Sequence, residues 1–87
     1  MTISHVFDTY AKTPKGRIMH FDVVIDEQNQ DLALRYAKAW LADIGEPDAQ
    51  VTPSNCVFCH SAEPPPALRQ QIEAQGFAIV KLEGCPA

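Results

Sequence analysis

Two groups of residues in this chain have side chains that could carry chemistry. The first is the stretch from Cys56 to His60, a C-x-x-C-H string that, together with Cys85, contains all three cysteines of the chain. The second is the set of candidate catalytic residues Asp8, His20 and Asp22, which lie in two consecutive segments rich in β-branched and aromatic residues. A C-x-x-C-H string can attach a haem, hold a metal or form a redox pair. A carboxylate that orients an imidazole can make a general base or part of a metal site.

Zinc is the metal that the cysteine stretch is best suited to bind, because its two thiols have the spacing of a zinc knuckle. The predicted ligands are Cys56, Cys59, Cys85 and His60, with His5 or His20 as alternatives for the fourth position. The pattern lacks a second C-x-x-C, and Cys59 and His60 are adjacent, so joint coordination would be strained. In a turn the sulfurs of Cys56 and Cys59 converge, whereas in a strand they face opposite sides about 10 Å apart. The sequence leaves both geometries open.

The remaining interpretations of the thiols follow from the expected location of the protein. The N-terminus lacks a basic region followed by an apolar run, and no apolar stretch approaches the ~20 residues of a membrane helix. We therefore expect a cytoplasmic protein with no membrane partner, in which three cysteines are free thiols or metal ligands. Covalent haem is disfavoured there. A redox pair would need a helix that starts at the cysteines, and buried cysteines that simply fill space account for all three equally well.

Size and charge limit the function further. The chain has 87 residues, 46% of them hydrophobic, which predicts one domain spanning residues 1–87 with a thin core. Its net charge of −4 has the wrong sign for a dedicated nucleic-acid binder. Lys12, Lys15 and Arg17 form a weak basic spot that is better explained as a solvated hairpin tip.

The candidate catalytic residues lie on a predicted β-hairpin. Strands are predicted from Ile3 to Tyr10 and from Arg17 to Ile25, because Thr13 to Gly16 between them has turn chemistry. One face of the second strand is wholly apolar and requires a core beneath it. That face consists of Met19, Phe21, Val23 and Ile25.

The apolar pattern also predicts how the two strands are paired. A five-residue loop from Lys12 to Gly16 sets Phe7 opposite Phe21 and, further along, Ile3 opposite Ile25. A four-residue loop would instead bury the carboxylate of Asp8 against Phe21, at a desolvation cost. The longer loop places Asp8 opposite His20 on the polar face, where a cross-strand ion pair is the simplest interpretation.

The rest of the chain predicts two helices and two further strands. A helix from Gln30 to Ile44, capped by Asn29, buries a stripe of apolar residues at helical spacing and stops at Gly45. The other predicted elements are a short strand from Ala49 to Thr52, a helix from Ala67 to Gln75 that follows the prolines, and an interior strand from Phe77 to Glu83. The order β-β-α-β-α-β predicts a two-layer α+β domain, with a mixed sheet and both helices on one face.

Five blocks of the sequence resemble a family of small bacterial proteins catalogued as domain of unknown function 2024. The resemblance covers nearly the whole chain and implies a compact α+β domain, but it implies no activity. The blocks are Val6 to Tyr10, Met19 to Val23, Tyr36 to Leu41, Cys56 to Ser61 and Leu82 to Pro86.

The function expected from these observations is a small soluble binding or interaction module, with a metal or thiol cluster at its cysteines. The alternative is a thiol-dependent redox protein, or a small enzyme that uses the face of Asp8, His20 and Asp22. An unprotected strand at the sheet edge would allow a weak homodimer, so a monomer or a weak homodimer is expected.

Overall fold

The computed structural model describes residues 3–85 of the chain. These residues form four strands and two α-helices in the predicted order, with a short 3₁₀ helix at Pro53–Asn55. The radius of gyration is 12.2 Å, close to the value of about 12 Å expected of one folded domain of this length. The elements are β1 (Ser4–Lys12), β2 (Ile18–Ile25), α1 (Gln30–Asp43), β3 (Cys56–Ala62), α2 (Pro66–Gln75) and β4 (Ala78–Glu83).

The four strands form one sheet in the order β3-β1-β2-β4, and every neighbouring pair is antiparallel. The prediction of a mixed sheet is therefore wrong. Helix α1 brings the chain back to the loop end of the hairpin, where Gln50 forms an isolated β-bridge with Lys12. Strand β3 therefore starts beside the end of β1 and runs antiparallel to it. The predicted strand from Ala49 to Thr52 is only this bridge, and the third strand is the cysteine stretch itself. The last strand, predicted inside the sheet, is an edge.

The pairing of β1 with β2 differs from the predicted pairing by two residues. Phe7 lies opposite Val23, and Asp8 lies opposite Asp22 rather than opposite His20. The hairpin loop does have five residues, but it begins one residue later than predicted, after Lys12. Thr13 closes it by accepting the N–H of Gly16 on its carbonyl and by donating its own N–H to the carbonyl of residue 17. Because side chains alternate with a period of two, the shift leaves every residue on its predicted face.

Helix α1 packs on the apolar face of the hairpin as predicted. The side chain of Asn29 accepts the N–H of Leu32 at 3.1 Å, which caps the helix at its first turn. The ring of Trp40 lies 4.6 Å from that of Phe21, measured between centroids. The buried core on this face includes Phe7, Met19, Phe21, Val23, Ile25, Ala33, Ala37 and Leu41.

Helix α2 packs on the opposite face of the sheet, so the prediction of two helices on one face is wrong. Ile72 of α2 packs with Val24 and Ala78, whereas the preceding residue, Val23, packs in the core under α1. Successive strand residues point to opposite faces, so the two helices sandwich the sheet. The physical reason is that the base of the hairpin, the end far from its loop, is apolar on both faces. The apolar residues on the second face must therefore also be buried from solvent.

Helix α2 is anchored at the base of the hairpin. The guanidinium of Arg69 donates to both carboxylate oxygens of Asp26, at 3.0 and 2.8 Å, and to the hydroxyl of Ser4 at 2.9 Å. The helix covers this end of the face only, and the end nearer the hairpin tip stays partly solvated. No helix within residues 3–85 is long and apolar enough to cross a membrane.

Candidate functional site

The candidate site lies on the α2 side of the sheet, in the part that the helix does not cover. Asp8 projects from β1, and His20 and Asp22 project from β2. Each residue offers a ligand atom within 4.8 Å of the ligand atoms of the other two. The three residues that the hairpin pattern placed on one polar face are thus brought together in space. We call Asp8, His20 and Asp22 the hairpin cluster.

The imidazole of His20 is held between two partners. Its Nε2 is hydrogen-bonded to Oδ1 of Asp8, and its ring stacks on the ring of Tyr10 with centroids 4.1 Å apart and an interplanar angle of 6°. The side chains of His20 and Asp8 are 23% and 37% exposed, so solvent reaches the pair. An imidazole fixed in this way presents its ring nitrogen at a defined place, as a general base or a metal ligand requires.

The environment of Asp22 makes its carboxyl group a weaker acid than usual. Partial burial raises the pKa of Asp22 above its usual range, and the negative charge of Asp8 and a hydrogen bond with that carboxylate raise it further. The imidazoles of His20 and His60 act in the opposite direction but do not compensate. Two carboxylates that face each other directly therefore compete for positive charge, either a proton or a cation.

His60 approaches the hairpin cluster from β3. It lies opposite Val6 on the α2 side of the sheet, and together with Asp22 it lines a groove of about 190 Å³. The rest of the lining is largely apolar and consists of Val6, Val24, Ala62, Glu63, Pro64, Pro65, Leu68 and Val80. His60, predicted as a ligand beside the cysteines, therefore lines this groove together with Asp22.

The cysteine stretch is extended, which answers the geometric question that the sequence left open. Cys56 is buried and lies opposite Thr9, whose hydroxyl donates to the sulfur at 3.5 Å. Burial raises the pKa of the Cys56 thiol. Cys59 is exposed at an irregularity of β3, with its Sγ 3.3 Å from Nδ1 of His60.

The third thiol lies near the opposite edge of the sheet. Cys85 follows β4, where its sulfur donates to the carbonyl of His20 at 3.4 Å. The alternative ligand His5 is hydrogen-bonded through Nδ1 to the hydroxyl of Ser61 at 2.7 Å. Within residues 3–85, the group with metal-ligand geometry is the hairpin cluster, and the predicted set of Cys56, Cys59, Cys85 and His60 is not brought together.

Sequence reasoning missed two participants in the site. Tyr10 was assigned to a strand without a role, and only the true register places it opposite His20. The C-x-x-C-H string predicts His60 as a zinc ligand together with the thiols, not as a neighbour of Asp22. The signal that could have found it was the strand propensity of Val57 and Phe58, because an extended strand puts His60 on a sheet face instead of beside a knuckle.

The fold and this site define a small α+β protein in which a four-stranded antiparallel sheet carries a carboxylate–imidazole cluster on one face. The chain belongs to the family described as Domain of unknown function (DUF2024), whose model matches residues 1–82. It is similar to protein NE1680 from Nitrosomonas europaea, a structure determined by NMR, with 44% sequence identity and a TM-score of 0.87. That similarity covers 98% of this chain and 100% of the other. No curated protein matches the chain.

Proposed function

We propose that this protein is a small binding module for a divalent transition-metal ion, and that the hairpin cluster is its site. The observation that carries the proposal is the pairing of Asp8 directly opposite Asp22, with the imidazole of His20 within reach of both. Like charges directly opposite each other on antiparallel strands are destabilising. A cation coordinated by both carboxylates would remove the repulsion between them.

The register distinguishes this proposal from a simple ion pair. Had Asp8 faced His20, as predicted, that cross-strand pair alone would account for both residues. In the observed register Asp8 still bonds to His20, but it also directly faces a second carboxyl group. With Asp8 facing Asp22, one imidazole stands against two carboxyl groups. The raised pKa of Asp22 is consistent with a site that lacks positive charge.

The donor atoms indicate the class of ion. Two carboxylate oxygens and one imidazole nitrogen suit Zn²⁺, Mn²⁺ or Fe²⁺, which accept mixed nitrogen and oxygen ligands. Ca²⁺ prefers six to eight oxygen ligands, and three residues supply too few. Three protein ligands leave at least one position for water or for a ligand molecule. The cluster is also preferred over the thiols because Cys56 is buried and the three cysteines lie apart.

Metal titration of the metal-free protein, purified without a histidine tag, tests the proposal. Because exposed Cys59 beside His60 could bind Zn²⁺ independently, the titration is done in a Cys59→Ser background. We expect one equivalent of Zn²⁺ or Mn²⁺ to bind. At a free-metal concentration about 100 times the Kd, binding adds about 2.7 kcal/mol and raises Tm by about 10–20 °C.

Variants locate the site. Asp22→Asn and His20→Gln should each abolish the metal-induced rise in Tm. Asp43→Asn removes the same charge from an exposed position on α1, so it serves as the matched control and should keep the rise. An unchanged metal response in Asp22→Asn, or no stoichiometric binding in the parent protein, would contradict the proposal.

A small enzyme is a second candidate, supported by the groove that Asp22 and His60 line beside the cluster. An enzyme needs a pocket into which at least two reactive groups converge, and this groove provides two. Its volume of about 190 Å³ lies below the range of about 300–1,000 Å³ typical of drug-sized ligands, so a substrate would be small. A fragment screen by NMR on metal-loaded protein tests this candidate, which fails if no fragment shifts the amides of Leu68 and Val80.

We also propose a cytoplasmic location. Its support is that Cys56, Cys59 and Cys85 are free thiols, as is usual in a reducing compartment. Fractionation of cells that express the tagged protein tests this, and recovery outside the cytoplasm would overturn it.

A further inference from the structure

Strand β3 is an open edge of the sheet. In the order β3-β1-β2-β4 it has β1 as its neighbour, and no strand within residues 3–85 pairs with its outer side. Val57 and Phe58 on this strand are 51% and 40% exposed. An edge strand is a template for pairing with another chain through its outward backbone N–H and C=O groups. At the start of β3 the carbonyl of Cys56 already accepts a hydrogen bond from Nε2 of Gln30 at 2.9 Å.

The two edges of the sheet differ in charge. Strand β4 carries Lys81 and Glu83, charged residues of the kind that discourage edge pairing. Strand β3 has seven residues and no Asp, Glu, Lys or Arg among them. The whole chain has a net charge of −4, so an uncharged strand is where a second copy can approach with little like-charge repulsion.

The pattern of side chains along β3 is that of a bulged strand. Val57 lies opposite Asp8 and His60 lies opposite Val6, so both face the α2 side although they are three positions apart. In a regular strand such residues would face opposite sides. The shift in register leaves Cys59 as the extra residue.

This pattern is symmetric about the point between Phe58 and Cys59. Cys56 and Ser61 lie opposite Thr9 and His5, so they face the α1 side. A two-fold axis at that point sets Cys56 against Ser61 on the α1 side and Val57 against His60 on the α2 side, so each of these pairs shares a face. At the axis itself Phe58 is set against Cys59.

We propose that two copies of this chain pair antiparallel through β3, about a two-fold axis between Phe58 and Cys59, and form one continuous eight-stranded sheet. A regular strand pairs with a bulged one by setting a single residue opposite two, as Phe7 of β1 does opposite Phe58 and Cys59. In a second copy the irregularity is the same, so the two-fold pairing sets one residue opposite one throughout. The proposal does not depend on metal binding at the hairpin cluster.

Sedimentation equilibrium of the full chain tests the proposal with a matched pair of variants. Val57→Lys places a charge on the proposed interface, and Leu82→Lys places the same charge on the opposite edge, at a residue 47% exposed. We expect a concentration-dependent dimer with a Kd of about 1 mM or tighter. Val57→Lys should raise that Kd at least tenfold, and Leu82→Lys should leave it within about threefold.

A second measurement needs no variant. The outward amides of β3 should exchange with deuterium more slowly at high protein concentration than at low concentration, because the dimer provides them with acceptors. A monomer at about 1 mM overturns the proposal. So does a dimer that Leu82→Lys weakens as much as Val57→Lys, or slowed exchange confined to β4.

Discussion

Replacing Asp22 with Asn should stabilise the metal-free protein at pH 7. The substitution removes one of two carboxylates that face each other across β1 and β2, and an amide can still donate a hydrogen bond to Asp8. Like charges directly opposite cost roughly 0.2–1 kcal/mol, and partial burial at this site favours the upper half of that range. Because Asp8 keeps 37% exposure, solvent screening prevents a larger value. We expect a gain of about 0.5–1 kcal/mol, equivalent to a Tm rise of about 2–8 °C.

The gain should depend on pH in a definite direction. The pKa of Asp22 is raised in the folded state, so between the unfolded value, about 3.9, and the raised value the folded protein binds more protons than the unfolded chain. The contribution of Asp22 to stability is therefore complete below the unfolded pKa and is lost as the pH rises through the folded pKa. Asp22→Asn lacks this loss, so its advantage over the parent should be small at pH 3 and full at pH 7.

Urea denaturation followed by the fluorescence of Trp40 measures the effect, since Trp40 is the single tryptophan and lies in the core. Asp43→Asn controls for the change in net charge. A double-mutant cycle with Asp8→Asn should show coupling of about 0.5–1 kcal/mol, because either substitution removes the same repulsion. If Asp22→Asn destabilises the metal-free protein at pH 7, or gains nothing relative to pH 3, the electrostatic account of the cluster is wrong.

Three further outcomes follow from the packing of the domain. Arg69→Met should lower the urea midpoint more at pH 7 than at pH 3. The hydrogen bonds from Arg69 hold the pKa of Asp26 below its usual range, and their contribution to stability is lost as the pH falls through that pKa. Equal losses at the two pH values would contradict this account. Cys59 should react with a thiol reagent in the folded protein while Cys56 reacts only after denaturation, and an oxidant that joins the two sulfurs would overturn the extended geometry. Leu41→Ala should lower the free energy of unfolding, measured by urea denaturation, by about 2–5 kcal/mol, since Leu41 is 1% exposed. A decrease below about 1 kcal/mol would show that the core under α1 is not close-packed.

The elements that local chemistry controls could be predicted from the sequence. Helix α1 begins after its Asn29 cap and buries its apolar stripe, because capping and a period of 3.6 residues are properties of one segment. The polar face of the hairpin was predicted for the same kind of reason. The strand partners were not, because which strand lies beside β1 depends on where the chain returns after α1. The sequence leaves the cysteine stretch open between a turn and a strand, because the cysteine spacing suits a knuckle whereas Val57 and Phe58 favour a strand.

The sequence by itself determined which residues share a face of the hairpin, and therefore that Asp8, His20 and Asp22 could meet. Only the tertiary structure decided that Asp8 faces Asp22, because a shift of two residues changes every cross-strand partner and leaves every face unchanged. It also decided that His60 approaches Asp22 while Cys56 is buried on the other side of the sheet. These placements depend on the extension and bulge of β3 against β1, a contact between segments about 50 residues apart that no local pattern records.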